Sequence, residues 1–199
     1  MNNRILRPNP FMLIFALLGC TIVQPANGWA FDLESVLEGT KITPPARVRF
    51  REERHNQMLK EPLILSGYLE YLETGQLRKV VESPFQETLL ISGEKIQIVR
   101  DGETKTLSAK HSRSLRTMLA GIEAILAGQE QQLLAAFFSA LTGTADAWYL
   151  ALTPRSNRIA RQLVGLQVGG DADAVTSIRI DLSGNEWHRM EIMPDDAEQ

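Results

Sequence analysis

An oily amphipathic run in the middle of the chain limits what the rest can be. Between residues 112 and 141, Leu115, Met118, Leu119, Ile122, Ile125 and Leu126 keep the i, i+3, i+4, i+7 spacing of one helix face. Gly128 follows where a left-handed residue ends a helix. Leu133, Leu134, Phe137, Phe138 and Leu141 then make a second apolar run, stopped by Thr142-Gly143. The polar side chains Arg113, Arg116, Glu123, Glu130 and Gln131 fall largely off these stripes. The pattern predicts a helix-turn-helix insert over about 112–141. Its broad apolar surface must rest on something equally apolar, a packed core or a greasy cargo.

Almost everything on either side reads as strand. Residues 32–39 are the exception: Asp32 is placed to cap a short helix over 33–38, with Gly39 ending it. After the stiff Thr43-Pro44-Pro45 connector, residues 46–52 alternate, apolar at even positions through Phe50 and charged at odd ones. Residues 53–61 read as a loop or a frayed strand end. Further strands are predicted at 65–73, 77–82, 86–91, 95–100 and 105–109, with turns at Thr74-Gly75, Ser83-Pro84, Ser92-Gly93 and Asp101-Gly102. Beyond the helices, strands are predicted at 147–152, 159–168, 175–182 and 186–193, with residues 169–173 as a loop. This makes nine or ten antiparallel strands, each with one dry face. The two amphipathic helices are the only elements large enough to cover such a sheet. The predicted fold is therefore α+β and mainly antiparallel β: an incomplete, half-open β-barrel with a helical lid inserted mid-chain.

The N-terminus reads as a secretory signal over residues 1–30, leaving one domain over 31–199. Arg4 and Arg7 precede an apolar stretch over 11–23, and small residues at Gly28 and Ala30 suit cleavage after Ala30. The stretch is short for a membrane span. Cleavage there takes the net charge from −3 to −5. The alternative is lipidation of Cys20, because Leu17-Leu18-Gly19-Cys20 has the form of a lipobox. That would anchor the domain at the outer membrane. With either processing no cysteine pair remains, so no internal disulfide is expected. The compartment indicated is the periplasm. No basic stripe or arm points to nucleic acid.

Little in the chain looks like chemistry. His55, His111 and His188 lie in different elements at no metal-ligand spacing, and Asp171-Ala172-Asp173 reads as a turn, lacking the remainder of a calcium loop. No nucleophile elbow is present. The row Arg47, Arg49, Arg51 reads as a solvated strand face, with docking on anionic lipid headgroups as the alternative. Neither a catalytic residue, a metal nor a cofactor is implied, so the chain is read as no enzyme.

The order of these elements resembles the periplasmic lipoprotein carrier LolA and its divergent relatives. The residues carrying the resemblance are the first strand through Ala46, Val48 and Phe50, then Ser66-Gly67 with Leu69 and Tyr71, Pro84, Asp101-Gly102, and Leu152-Thr153-Pro154. They span nearly the whole mature chain. The resemblance implies an unclosed barrel, lidded by helices, whose cavity holds acyl chains in transit towards the outer membrane. Partners would be the acyl chains of a lipoprotein or other lipid and a membrane-protein donor and acceptor, with the carrier a monomer. The wall would be Val48, Phe50, Leu69, Tyr71, Ile96, Ile98, Trp148 and Leu150, closed by Leu119, Ile122, Phe137 and Phe138. The second function considered is a non-catalytic lipid-sensing or accessory module that binds a membrane protein by its sheet edge. Two departures from the family pattern stand out. Its Arg-Pro pair after the second strand, associated with holding the lid, is replaced by Leu72-Glu73-Thr74-Gly75, and Glu103-Thr104-Lys105 stands where an aromatic usually follows the Asp-Gly turn.

Overall fold

A computed structural model describes residues 31–194. The expected signal sequence, its cleavage after Ala30 and the alternative at Cys20 lie outside the described residues. The chain opens with α1 (Leu33–Gly39), whose cap is reciprocal. The Ser35 N–H donates to Asp32 Oδ1 at 2.9 Å and the Asp32 N–H to Ser35 Oγ at 3.2 Å, two otherwise orphaned donors.

A six-stranded meander follows: β1 (Ala46–His55), β2 (Leu63–Glu73), β3 (Gln76–Ser83), β4 (Glu87–Ser92), β5 (Lys95–Arg100) and β6 (Glu103–Ser108). Then come α2 (Arg113–Leu126), α3 (Glu130–Ala136), β7 (Phe137–Gly143) and β8 (Trp148–Pro154). The short α4 (Asn157–Ala160) leads into β9 (Leu163–Asp171), β10 (Ala174–Leu182) and β11 (Trp187–Pro194). All eleven strands form one sheet in the order β6-β5-β4-β3-β2-β1-β11-β10-β9-β8-β7. The seam is the antiparallel pair β1–β11, with Phe50 opposite Ile192 and Glu52 opposite Met190. Strands β6 and β7 are the two ends of the sheet and do not pair with each other, so it stays open. The connection between those ends is α2–α3, and the helices therefore lie across the sheet between its two halves. The expected α+β, incompletely closed sheet with a mid-chain helical insertion is what forms.

Three expectations need correction. The second helix ends at Ala136, not at residue 141, and Phe137–Gly143 is a strand against β8. A spacing of four places Phe137 and Leu141 on one side in either conformation, so the period alone did not separate them. The alternation decides it: Phe137 is fully buried while Phe138 is 56% exposed. Second, residues 159–168 are not one strand, because α4 takes the first part and β9 continues through Gly169 and Gly170 to Asp171. The Trp148 ring lies over Gly170 so closely that a Cβ there would stand 2.0 Å from Cζ2, which leaves that position to glycine. Third, β1 runs on to His55, and the total is eleven strands.

Two apolar clusters hold the fold. The larger joins Val36 and Leu37 of α1, Ala124 and Ile125 of α2, Leu133 of α3, and Phe137, Trp148, Leu150, Leu152, Leu163, Leu166 and Val168 from β7–β9. The smaller lies on the β1–β3 half, where Phe50, Leu65 and Val81 are buried with Leu69, Phe85 and Met190 against them. Gly67 is opposite both Phe50 and Val81, and a Cβ there would meet the Val80 carbonyl oxygen at 1.9 Å. Backbone cannot give way as a side-chain end can. Gly67→Ala is expected to lower unfolding free energy by about 1–3 kcal/mol or more, read from chemical denaturation.

Candidate functional site

Helix α2 presents two apolar edges to different surroundings. Its start is fixed by Ser112, whose Oγ accepts from the Leu115 N–H at 3.3 Å. Gly121, Ala124 and Ile125 are buried, the last two in the larger cluster. Gly121 lies against the Phe137 ring, only 2.8 Å from where its Cβ would be. On the other edge Leu119, Ile122 and Leu126 remain half-buried, because they border a cavity of about 350 Å³. Across that space stand Leu77 of β3 and Ile91 of β4, with Gly75, Gly93 and Glu94 at the hairpin tips. A cavity of this size lies at the lower end of the range for small-molecule sites, about 300–1,000 Å³.

Two polar contacts tie α2 to those tips. Glu123 Oε1 accepts from the Gly75 N–H at 2.9 Å and stands 3.5 Å from the Tyr71 hydroxyl, which donates to it. Burial, and then the Glu123 carboxylate, push the Tyr71 phenol above its ordinary pKa. The second tie is ionic: Glu94 faces Arg116 at 3.5 Å and Lys110 at 3.8 Å. These pairs are exposed and contribute little. The Glu123 contact falls where the Arg-Pro pair of the resembled family is missing. Here the helix supplies the acceptor and the hairpin supplies the donors.

The anticipated wall residues separate into groups. Leu119 and Ile122 border the cavity. Tyr71 and Ile96 are buried, and Val48, Leu69 and Ile98 are half-buried on the same side of the sheet. Phe50 belongs to the smaller cluster, whereas Phe137, Trp148 and Leu150 are packed solid in the larger one. Phe138 faces the other way, with the Arg155 guanidinium 4.3 Å above its ring. Phe137 and Phe138 are therefore strand residues and not part of the helical lid. Leu77, Ile91 and Leu126 also line the cavity, Leu77 and Ile91 as directly paired inward residues of β3 and β4.

The even-numbered side of β1 also holds a surprise. Glu52 points inward with Phe50 and is 3% exposed. Arg54 meets it twice, Nε at 3.0 Å from Oε1 and Nη2 at 3.3 Å from Oε2. Lys79 Nζ donates to Oε2, and His188 Nδ1 lies 3.4 Å from Oε1. Burial alone would raise the Glu52 pKa. The His188 hydrogen bond, the Lys79 charge and Arg54 outweigh it and hold the carboxyl far below its usual range. Burial pushes the Lys79 ammonium down, and Glu52 opposes that.

Outside, the sheet is a paired polar surface. Arg47 stacks 3.8 Å over Tyr68, Arg49 meets Glu82 at 2.9 Å and Arg51 meets Glu53 at 2.8 Å, as a solvated strand face requires. His55 stacks on Trp187, and His111 is exposed. Ala172, at φ 49°, sits in the β9–β10 turn of the Asp171-Ala172-Asp173 segment. Among the described residues no group of three or more His, Cys, Asp or Glu is placed to hold a metal, and no helix is long and apolar enough to cross a membrane.

An open antiparallel sheet with a helical insertion over an apolar cavity has a counterpart among known families. The family described as outer membrane lipoprotein carrier protein LolA-like matches residues 25–186. The chain belongs to this LolA-like family. Membership makes it a protein of carrier type rather than an enzyme, and it points to the periplasm. No curated protein matches the chain. Among solved structures, a LolA superfamily protein from Nitrosomonas europaea is similar at 10% identity, with a TM-score of 0.41 over 84% of this chain and 95% of that one. The lipoprotein LppX of Mycobacterium tuberculosis is 10% identical, with a TM-score of 0.40 over 80% and 90%. A chain of the Pseudomonas aeruginosa MucA/MucB complex is 11% identical, with a TM-score of 0.38 over 83% of this chain and 58% of that one.

Proposed function

We propose that this LolA-like chain carries an acylated lipid or lipoprotein across the periplasm, sheltering an acyl chain between α2 and the inward side of β3 and β4. The observation that carries the reading is the cavity of about 350 Å³ between Leu77 and Ile91 on one side and Leu119, Ile122 and Leu126 on the other. Burying an acyl chain gains about 0.8 kcal/mol per methylene, so a ~16-carbon tail gains on the order of 10 kcal/mol relative to water. A bilayer offers the same gain. A carrier thus needs a pocket of comparable affinity and a cover whose opening costs only a few kcal/mol. The tie from Glu123 to Gly75 suits that requirement, since one hydrogen bond to a charged acceptor contributes about 1.5–3 kcal/mol. Ala124 and Ile125 would anchor one edge of α2 while the Glu123 edge lifts. Donor and acceptor would be membrane proteins, and delivery would be towards the outer membrane.

Mass spectrometry of organic extracts from the purified protein tests this directly. A lipid present at close to one per chain is the expected result. Protein that holds none, and takes none up from acyl-lipid vesicles, would end the carrier reading. Glu123→Ala is expected to speed release of bound lipid about tenfold, the kinetic equivalent of ~1.4 kcal/mol, in a stopped-flow displacement assay. Glu123→Gln, which keeps an acceptor oxygen, should release more slowly than Glu123→Ala.

A further inference from the structure

Two acid-free stretches of the chain meet where α2 begins. No acidic residue lies between Glu103 and Glu123, a stretch that holds Lys110, Arg113 and Arg116. None lies between Asp146 and Asp171, which holds Arg155, Arg158 and Arg161. The fold joins them: α2 packs against α4, and the Ser114 hydroxyl donates to Gln162 Oε1, directly after Arg161. Carboxylates on the surrounding elements are few. β8 has none, and Asp171 closes β9 at its far end. Asp181, opposite Gly165 on β10, is taken by Arg179 at 2.8 Å. Glu94 meets Arg116 and Lys110, Glu130 begins α3, and Glu186 follows the turn whose Ser183 N–H donates to the Gln162 carbonyl oxygen at 3.0 Å. The six cations named thus outnumber Glu94, Glu130 and Glu186, in a chain whose net charge is −3.

The patch is open to solvent. Arg113, Arg158 and Arg161 are exposed and have no ion pair among the described residues. Arg155 places Nε on the carbonyl oxygens of Leu134 and Phe137, at 2.6 and 3.0 Å, and lies over the Phe138 ring. Around these arginines stand the three most exposed large apolar side chains of the described residues: Met58 at 88%, Phe138 at 56% and Val164 at 49%. Phe138, opposite Thr153 at the end of β8, and Val164, at the start of β9, flank α4 at one end of the sheet. Met58 lies in the β1–β2 loop, which Gln57 Nε2 ties to the Gly184 carbonyl oxygen at 2.7 Å, beside Ser183.

We infer that this corner docks the protein on an anionic bilayer surface, with Arg113, Arg155, Arg158 and Arg161 on lipid headgroups and Phe138 and Val164 entering the interface. Charge complementarity names the partner. An acidic chain is repelled by an anionic surface as a whole, so attraction requires a local positive face, and this is where the unpaired arginines gather. The mixture of side chains points the same way. Guanidinium forks match phosphate oxygens, and the apolar side chains between them leave water for the acyl boundary. An acidic peptide would compensate the arginines alone. Arg116 also borders the cavity, so the docking surface runs up to it. The inference goes beyond the carrier reading and holds whether or not the cavity contains lipid.

Flotation of the purified protein with vesicles tests this. The vesicles are phosphatidylcholine alone, or phosphatidylcholine mixed with phosphatidylglycerol, at low and at high salt. Polyglutamate, followed by calorimetry, serves as the soluble acidic polymer. Binding is expected on the phosphatidylglycerol vesicles and should weaken as salt screens the arginines. Each arginine at an anionic surface strengthens binding about fivefold, so Arg158→Gln with Arg161→Gln should weaken it about 25-fold. Arg158→Lys with Arg161→Lys keeps the charge and should retain most of the binding. Phe138→Ala should weaken binding about tenfold at either salt concentration, through lost apolar burial. All three side chains are exposed, so the circular dichroism of each variant should match the parent. No binding to vesicles, equal binding to both kinds, or undiminished binding by the Arg→Gln pair or by Phe138→Ala overturns the inference and leaves the carrier reading intact. Binding to polyglutamate and to neither vesicle overturns it in favour of an acidic protein partner. A protein that docks as expected but holds and takes up no lipid supports the docking surface and ends the carrier reading.

Discussion

Ile122→Asp is expected to strip the protein of lipid while leaving it folded and secreted. Ile122 is half-buried on the cavity edge of α2 and takes no part in the larger apolar cluster, which holds the helix through Ala124 and Ile125. A carboxylate in its place would face Leu77 and Ile91, in a cavity where the cation Arg116 already pairs with Glu94. An acyl chain entering would have to strip water from that charge, a penalty of several kcal/mol. Retention should fall by about a hundredfold or more, since each ~1.4 kcal/mol is a factor of ten. Lipid per chain by mass spectrometry and helical signal by circular dichroism give the two readouts. A normal lipid load in a folded Ile122→Asp protein would remove α2 from the proposed cover. Phe137→Asp is not an equivalent test. Phe137 is fully buried in the larger cluster, so that change should unfold the chain.

The second large effect belongs to Glu52. Glu52→Ala leaves Lys79, itself 8% exposed, without its counter-charge among apolar neighbours. Breaking a buried pair from one side is expected to cost about 3–5 kcal/mol of unfolding free energy. Replacing both partners with apolar residues, as in Glu52→Leu with Lys79→Met, should recover most of it, because the desolvation of both charges disappears together. Arg54 and His188, each about a third exposed, can then turn to solvent.

The pH dependence has a definite sign. The folded-state pKa of Glu52 lies below its ordinary 4.5, so the unfolded chain binds its proton first. The stabilisation is complete above about pH 4.5 and is lost as pH falls from there towards the folded value. In Glu52→Gln the acid limb of stability against pH, followed by denaturant midpoint, should be flatter than in the parent. An unchanged acid limb would show that other carboxyls govern acid unfolding.

How much of this was legible beforehand depends on the range of the interaction involved. The Asp32 cap, the Asp101-Gly102 hairpin and the oily face of α2 are set by residues a few positions apart, and each formed as its local pattern implied. The run ending in Phe137, Phe138 and Leu141 failed the same approach. Helix and strand both align residues four apart, and only pairing with β8 separates them. Glu52 was misleading for a related reason. It occupies an inward position after Ala46, Val48 and Phe50, and nothing within β1 says that a lysine two strands away will meet it.

The amino-acid sequence by itself determined an open, mainly antiparallel sheet with two covering helices, because hydrophobic periodicity and turn chemistry act within a few residues. Tertiary structure alone decided which edge of α2 is packed and which borders a cavity. It also decided that Glu123 finds Gly75, and that Glu52 gathers Arg54, Lys79 and His188 around it. Those outcomes depend on strand register and on how the sheet curls, and a contact between residues 48 or 136 positions apart is fixed only once both are in place.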